Sequence, residues 1–312
     1  MSPIGTIERQ AVPLPALRAI DGQDDAVADR VRVRFHSAAP ESAAPESAAP
    51  EARATGETRV GIWAEGIGSI IDVDDARSDG DAFAGALGID GLLTPDLLLG
   101  VRIGFDDTEF DTLFDGVPGI LDSDALSVTF YGAHRMGAGW VIDGHFGYTR
   151  SNHDFSAAPP GTPSLGGEVR SDRFHVGLGA SAPYALGPVT VTPRVQAAIA
   201  VESAVAFTDT AGNTFDTDRS TVAQASAGAE VAYPLSLAGV VLEPWVEGRV
   251  LVSADDVGAG SLVGEEIYGA AAAGLRVAWQ RVSLSVEARA AGFGGRPYTD
   301  VSGLMRVGFD FE

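Results

Sequence analysis

Cysteine is absent from the 312 residues, so disulfides, thiolate metal sites and a thiol nucleophile are all excluded. Lysine is absent too: all 21 basic residues are arginine, which reads as genomic base-composition bias rather than function. Against 43 acidic residues they leave a net charge of −22. A nucleic-acid partner is argued against, because binding phosphates requires a basic footprint. Acidic outer loops and an acidic interior would account for the charge better. No run approaches eighteen apolar residues, which excludes a helical membrane span. Residues 1–9 lack the basic start, apolar stretch and small-residue cleavage site of a secretory signal. For an exported chain this implies a mature form, a fragment or a start further upstream; otherwise it counts against an envelope protein.

What the chain does have is alternation. Twelve segments, near 59–71, 82–93, 97–107, 124–136, 140–151, 170–184, 189–203, 219–233, 240–253, 265–280, 281–292 and 300–312, each alternate apolar and polar residues. In Val282-Ser283-Leu284-Ser285-Val286-Glu287-Ala288-Arg289-Ala290 one face is wholly apolar and the other carries two hydroxyls, a carboxylate and a guanidinium. That is the period of a strand with two different solvents on its two faces. Short turns at 93–97, 136–140, 185–189, 235–240 and 280–281 alternate with longer connections at 72–81, 106–122, 151–168, 207–219, 255–265 and 292–300. The pattern predicts an all-β fold: a 12-stranded antiparallel up-and-down transmembrane β-barrel in a bacterial outer membrane. Its short turns and both barrel ends would be periplasmic and its long loops extracellular. A closed barrel also satisfies every backbone hydrogen bond inside lipid.

Parity separates the two faces. Leu99, Val101, Ile103 and Phe105 oppose Arg102; Ile142, Phe146 and Tyr148 oppose Asp143, His145 and Thr149; Val246 and Val250 oppose Glu243, Glu247 and Arg249. A charge on the lipid face near the midplane costs about 2 to 4 kcal/mol, so the charged face is expected to be the lumen. The predicted lumen set is Arg102, Asp143, Arg194, Glu230, Glu243, Glu247, Arg249, Arg276, Glu287 and Arg289. Those charges fill a polar interior as mutual salt bridges, or else hold the N-terminal segment and set ion preference.

Residues 1–58 are unlike the rest. Ser-Ala-Ala-Pro-Glu is repeated in tandem between Ser37 and Glu51, which reads as an extended linker with nothing to bury. Residues 16–35 have enough Ala, Leu, Val and Arg for a short helix, although Gly22 and the alternating Val31-Arg32-Val33-Arg34-Phe35 weigh against it. The expected organisation is therefore a disordered or partly helical segment at 1–58, able to thread a pore, followed by a barrel at 59–312.

Several motifs in the barrel resemble the β-domain of autotransporters, the translocators of type V secretion. They are the opening Gly61-Ile62-Trp63-Ala64-Glu65-Gly66, Tyr131-Gly132 followed by Gly139-Trp140-Val141-Ile142-Asp143-Gly144, and the strand entries Val191-Thr192-Pro193-Arg194 and Leu242-Glu243-Pro244-Trp245. The resemblance runs from about Arg59 to the end. It implies a barrel that anchors and helps export an N-terminal passenger, with the segment before the first strand inside the pore. It also implies barrel-assembly machinery, outer-membrane lipid and lipopolysaccharide, and the chain's own N-terminal segment or passenger as partners, with one chain closing one monomeric barrel. Barrels of this family commonly end on an aromatic residue; here Val307, Phe309 and Phe311 supply the alternation of an assembly signal and Glu312 follows. Self-cleavage by asparagine cyclisation inside the pore is closed to the segment present, since asparagine occurs only at 152 and 213.

Rival readings have weaker support. No cofactor, metal or catalytic residue is predicted. His153-Asp154 reads as a solvated pair in an outer loop, and His145 beside Asp143 has no nucleophile placed next to it. The acids Asp72, Asp74, Asp75, Asp79 and Asp81 could offer oxygens to calcium, but Ala76 and Arg77 break the spacing of a calcium loop. A stand-alone, cation-preferring porin-like channel is the main alternative, ahead of an outer-membrane hydrolase and a soluble β-sandwich.

Overall fold

Alternation at a period of two places successive side chains on opposite faces of a strand, and a sheet wrapped between lipid and a polar interior needs that along its whole length. The computed structural model of the chain describes residues 27, 30–32, 34–35, 59–73, 78–114, 117–158, 164–210, 212, 214–215, 219–257, 263–294 and 298–311. Twelve long strands form it: β1 (Arg59–Val73), β2 (Ser78–Thr94), β3 (Leu97–Phe114), β4 (Val117–Arg135), β5 (Val141–Ala157), β6 (Leu165–Ser181), β7 (Val189–Ala204), β8 (Arg219–Ala232), β9 (Val240–Val257), β10 (Val263–Trp279), β11 (Val282–Phe293) and β12 (Tyr298–Phe311). Each pairs antiparallel with its neighbours in sequence, and β1 pairs with β12 from Val60↔Phe311 to Val73↔Tyr298. The sheet is therefore a closed ring without an edge, which lipid requires. No described helix is long and apolar enough to cross a membrane.

Apolar side chains face outward. On β3 and β4 these include Leu99, Ile103, Phe105, Leu126 and Phe130, each at least 47 % exposed, which is the signature of a lipid-facing belt. Phe130 of β4 and Phe146 of β5 stack at 5.3 Å across that belt.

The structure corrects the predicted connections. The segments taken as long loops are mostly strand: β3 and β4 run to Phe114 and from Val117, and β5 and β6 run to Ala157 and from Leu165. The reason lies on the outer face. Beyond Tyr148 the outward residues of β5 become Arg150, Asn152 and Asp154, so the contrast in hydropathy ends while the ladder continues. There the strands are stitched by polar cross-strand pairs, Asn152 to Asp124 at 3.0 Å and Arg150 to Asp172 at 3.1 Å. The barrel thus stands up beyond its apolar belt. Within the predicted loop 207–219, Phe207–Thr208 pairs with Thr214–Phe215, and the Phe207 ring meets Phe155 edge-on at 5.6 Å.

The turns at the other end are tight. Gln280 (φ 54°) and Ala238 (φ 49°) occupy left-handed conformations that reverse the chain in the fewest residues. Tyr184–Leu186 and Leu235–Leu237 are short strands folded onto the starts of β7 and β9.

Candidate functional site

The described residues of the N-terminal segment, Val27, Arg30, Val31, Arg32, Arg34 and Phe35, are helical. Val27, Val31 and Phe35 are spaced by four, so they form one stripe of a helix. That stripe is buried in the barrel against Trp63, Leu92, Leu98, Tyr131 and Val141, which come from β1 to β5. The Val31-to-Phe35 alternation that weighed against a helix is thus a helical stripe with arginines beside it. The predicted Ser-Ala-Ala-Pro-Glu linker lies outside the described residues.

Arg30 and Arg34, also four apart, converge on Asp90 of β2. Their Nε atoms lie 2.5 and 2.9 Å from its two carboxylate oxygens, and the three side chains are 1 %, 1 % and 0 % exposed. Tyr131 donates to the same carboxylate at 2.9 Å and accepts from Trp63 Nε1 at 2.8 Å. Asp310 of β12 takes a second contact from each arginine, at 3.5 and 2.5 Å. On the opposite side of the helix Arg32 pairs with Glu230 of β8. Arg135 donates to the Phe35 carbonyl at 2.8 Å and lies 4.4 Å over its ring. The carbonyl of Phe35, the last described residue of the helix, therefore meets a cation. Glycine makes the close fit possible: a Cβ on Gly61 would stand 2.5 Å from both Arg30 and Asp310.

Of the ten charged residues named from alternation, Arg102, Asp143, Glu230, Arg249 and Arg276 are buried, and Arg194, Glu243, Glu247, Glu287 and Arg289 are half-buried. They form several clusters. Glu65 is clamped between Arg102 at 2.9 Å and Arg306 at 2.7 Å, tying β1 to β3 and β12. Arg276 reaches Glu230 at 2.7 Å and Glu243 at 2.9 Å while its guanidinium lies 4.6 Å over Trp245. Arg249 meets Glu247 at 3.4 Å, and Arg289 meets Glu287 at 3.0 Å. Asp143 and Arg194 are looser, at 3.7 Å. Val307, Phe309 and Phe311 lie on the outward face of β12, each about two-fifths exposed.

Sequence reasoning missed Glu65, Asp90, Asp310, Arg173, Glu202 and Arg306. The parity that identified Arg102 applies equally to Glu65 beside Trp63 and to Asp90 opposite Ile89, so the signal was available.

The His153 expectation is corrected. His153 is buried within β5, not in an outer loop; its Nδ1 is 2.7 Å from Ser123 Oγ and its Nε2 is 3.1 Å from Ser171 Oγ. Ser171 donates to Glu202 at 2.5 Å, and Glu202 is held by Arg173 at 2.9 Å. The ring's polar atoms face serines because the ladder continues beyond the apolar belt. His145 is buried 5.6 Å from the His175 ring. Of the acids weighed for calcium, Asp72 lies in β1 and Asp79 and Asp81 in β2, while Asp74 and Asp75 fall outside the described residues. Among the described residues no group of three or more His, Asp or Glu is placed to hold a metal.

The geometry is thus a closed barrel with a helix held inside it by buried ion pairs, and comparisons with known proteins agree on the barrel. The family model described as the autotransporter beta-domain matches residues 62–292. The beta domain of the Bordetella autotransporter BrkA superposes with a TM-score of 0.69 at 16 % identity, covering 81 % of this chain and 99 % of that one. The translocator domain of autotransporter NalP from Neisseria meningitidis gives 0.68 at 16 % identity, covering 94 % and 98 %. The transport unit of AIDA-I from Escherichia coli gives 0.59 at 15 % identity, covering 85 % and 93 %. Among curated protein sequences, none matches this chain.

Proposed function

The chain belongs to the autotransporter β-domain family, and from that premise we propose that the helical segment around Arg30 and Arg34 is the tether between a passenger and its barrel. The barrel is an outer-membrane translocator domain of type V secretion, and an N-terminal passenger is its partner. In our reading residues 1–58 form a linker that occupies the pore and residues 59–312 form the barrel. The single observation that carries this is the convergence of Arg30 and Arg34 on the fully buried Asp90. A cation pair enclosed this way needs its carboxylate, since leaving either side unpaired costs about 3 to 5 kcal/mol.

Our reading of the orientation takes the short turns as periplasmic. With the short turns in the periplasm, Phe35 lies near the periplasmic mouth beside Arg135. The charges in the interior serve to brace the wall and hold the helix. The apolar belt meets lipid, the polar extension above it meets lipopolysaccharide, and the outward Val307, Phe309 and Phe311 present the last strand to the assembly machinery.

The family is a translocator family rather than an enzyme family. We read the Ser123, His153, Ser171 and Glu202 network as bracing: both ring nitrogens of His153 are engaged by serines and Glu202 is engaged by Arg173. A porin-like channel is less supported, because a helix fills part of the interior. An epitope fused before Met1 tests the proposal. Antibody should label it on intact cells producing the fusion, whereas labelling only after the outer membrane is permeabilised would contradict the export role.

A further inference from the structure

Between the helix and the wall, at the end of the barrel that carries the short turns, lies a cavity of about 270 Å³. Phe35 and Val141 supply part of an apolar side, while Arg32, Arg135, Arg194 and Asp143 supply the polar side. Its charge is not balanced from within. Arg32 is paired with Glu230, so two guanidiniums are left facing one carboxylate, and Asp143 lies 3.7 Å from Arg194, too far for a close pair. The Arg194 side chain is only 10 % exposed, and its Nε has no hydrogen-bond partner. An enclosed N–H of a charged group left unsatisfied is costly, and such groups mark the position of a missing acceptor. Arg135, half-buried at the rim, is a second guanidinium lining the cavity. Its contacts are the carbonyl and ring of Phe35, and no carboxylate pairs with it among the described residues.

We propose that this cavity binds a small carboxylate with an apolar body. The guanidiniums of Arg194 and Arg135 match the planar, two-oxygen geometry of a carboxylate, which is the recognition arginine performs best. Phe35 and Val141 cover the remainder of the ligand, and the volume limits it to something the size of one substituted amino acid. Arg32 and Phe35 belong to the helix and the other residues to the wall, so the ligand bridges the two. Anything that binds only the assembled pair stabilises the seated helix by mass action. The inference rests on the placement of the helix and not on what the chain exports.

Such a carboxylate could come from a free metabolite or from the end of a peptide, and two probes separate these sources. The full chain, folded in detergent, is titrated calorimetrically with N-acetylphenylalanine, with a glycyl-glycyl-phenylalanine peptide, and with N-acetylphenylalanine amide. Saturable binding of either acid and none of the amide is expected, with the tighter acid identifying the source. Arg194→Gln and Arg135→Gln should each weaken binding at least tenfold, while Arg150→Gln on the outer surface should leave it unchanged. Heat-modifiable migration in gels reports whether each variant is folded; if Arg194→Gln is not, Arg135→Gln at the rim decides. Absence of saturable binding by both acids, equal binding of the amide, or unchanged affinity in the folded Arg135 and Arg194 variants would overturn the proposal.

Discussion

Two buried arginine clusters in this barrel look alike and differ in what they hold. Arg102 and Arg306 clamp Glu65 between strands that the backbone ladder already joins. Arg30 and Arg34 clamp Asp90 to a helix that shares no ladder with the wall and is held by side chains. The first cluster adds stability to a ring that would close without it; the second decides whether the interior is occupied. The same chemistry is structural in one place and positional in the other, and the distinction comes from the backbone around it.

Substitutions can break that contrast. Asp90→Ala leaves Arg30 and Arg34 with Asp310 as their remaining shared carboxylate and should destabilise the seated helix by about 3 kcal/mol, roughly a hundredfold in its seating equilibrium. Trypsin cleavage after Arg30 and Arg34 in the folded protein should accelerate accordingly while the barrel stays intact. Glu65→Gln strips the charge between Arg102 and Arg306 and should also cost about 3 kcal/mol, but this time in unfolding of the barrel, read as a lower midpoint in urea with tryptic protection of the helix unchanged. The two variants thus exchange phenotypes if the comparison is right.

Smaller effects sharpen it. Gly88 lies beneath the Trp63 indole, where an added Cβ would collide with the ring. Gly88→Val should therefore cost about 1 to 3 kcal/mol by overpacking, seen as a lower unfolding midpoint and a shifted tryptophan emission. Gln280→Gly in the two-residue turn between β10 and β11 should stabilise by up to about 1 kcal/mol, because glycine adopts the positive φ there without strain. Arg150→Gln breaks the pair with Asp172, whose side chains are 65 % and 37 % exposed. It should leave the urea midpoint unchanged within error, since so exposed a pair contributes little.

Period-two alternation carries most of the fold, since a strand between lipid and a polar interior must write both solvents into its sequence. Val282 to Ala290 and the Leu99 to Phe105 stretch do so plainly. The strand ends were not legible beyond Tyr148, where both faces turn polar and only the ladder marks the strand. The helix was hidden for a related reason. Val31-Arg32-Val33-Arg34-Phe35 satisfies a period of two by eye, and only the four-residue spacing from Val27 through Val31 to Phe35 and from Arg30 to Arg34 shows the helical face. Asp90 and Glu65 could be placed on a face by parity, but nothing local distinguishes the one that meets the helix from the one that meets the wall. That distinction depends on the register of β1 against β2 and β12, which no local pattern reveals.

The most direct test is single-channel conductance in planar bilayers of the full chain against a chain beginning at Arg59. A small or closed conductance for the full chain and a large, stable one for the shortened chain is the predicted result. Equal and stable conductance from both would contradict the claim that the N-terminal helix occupies the barrel.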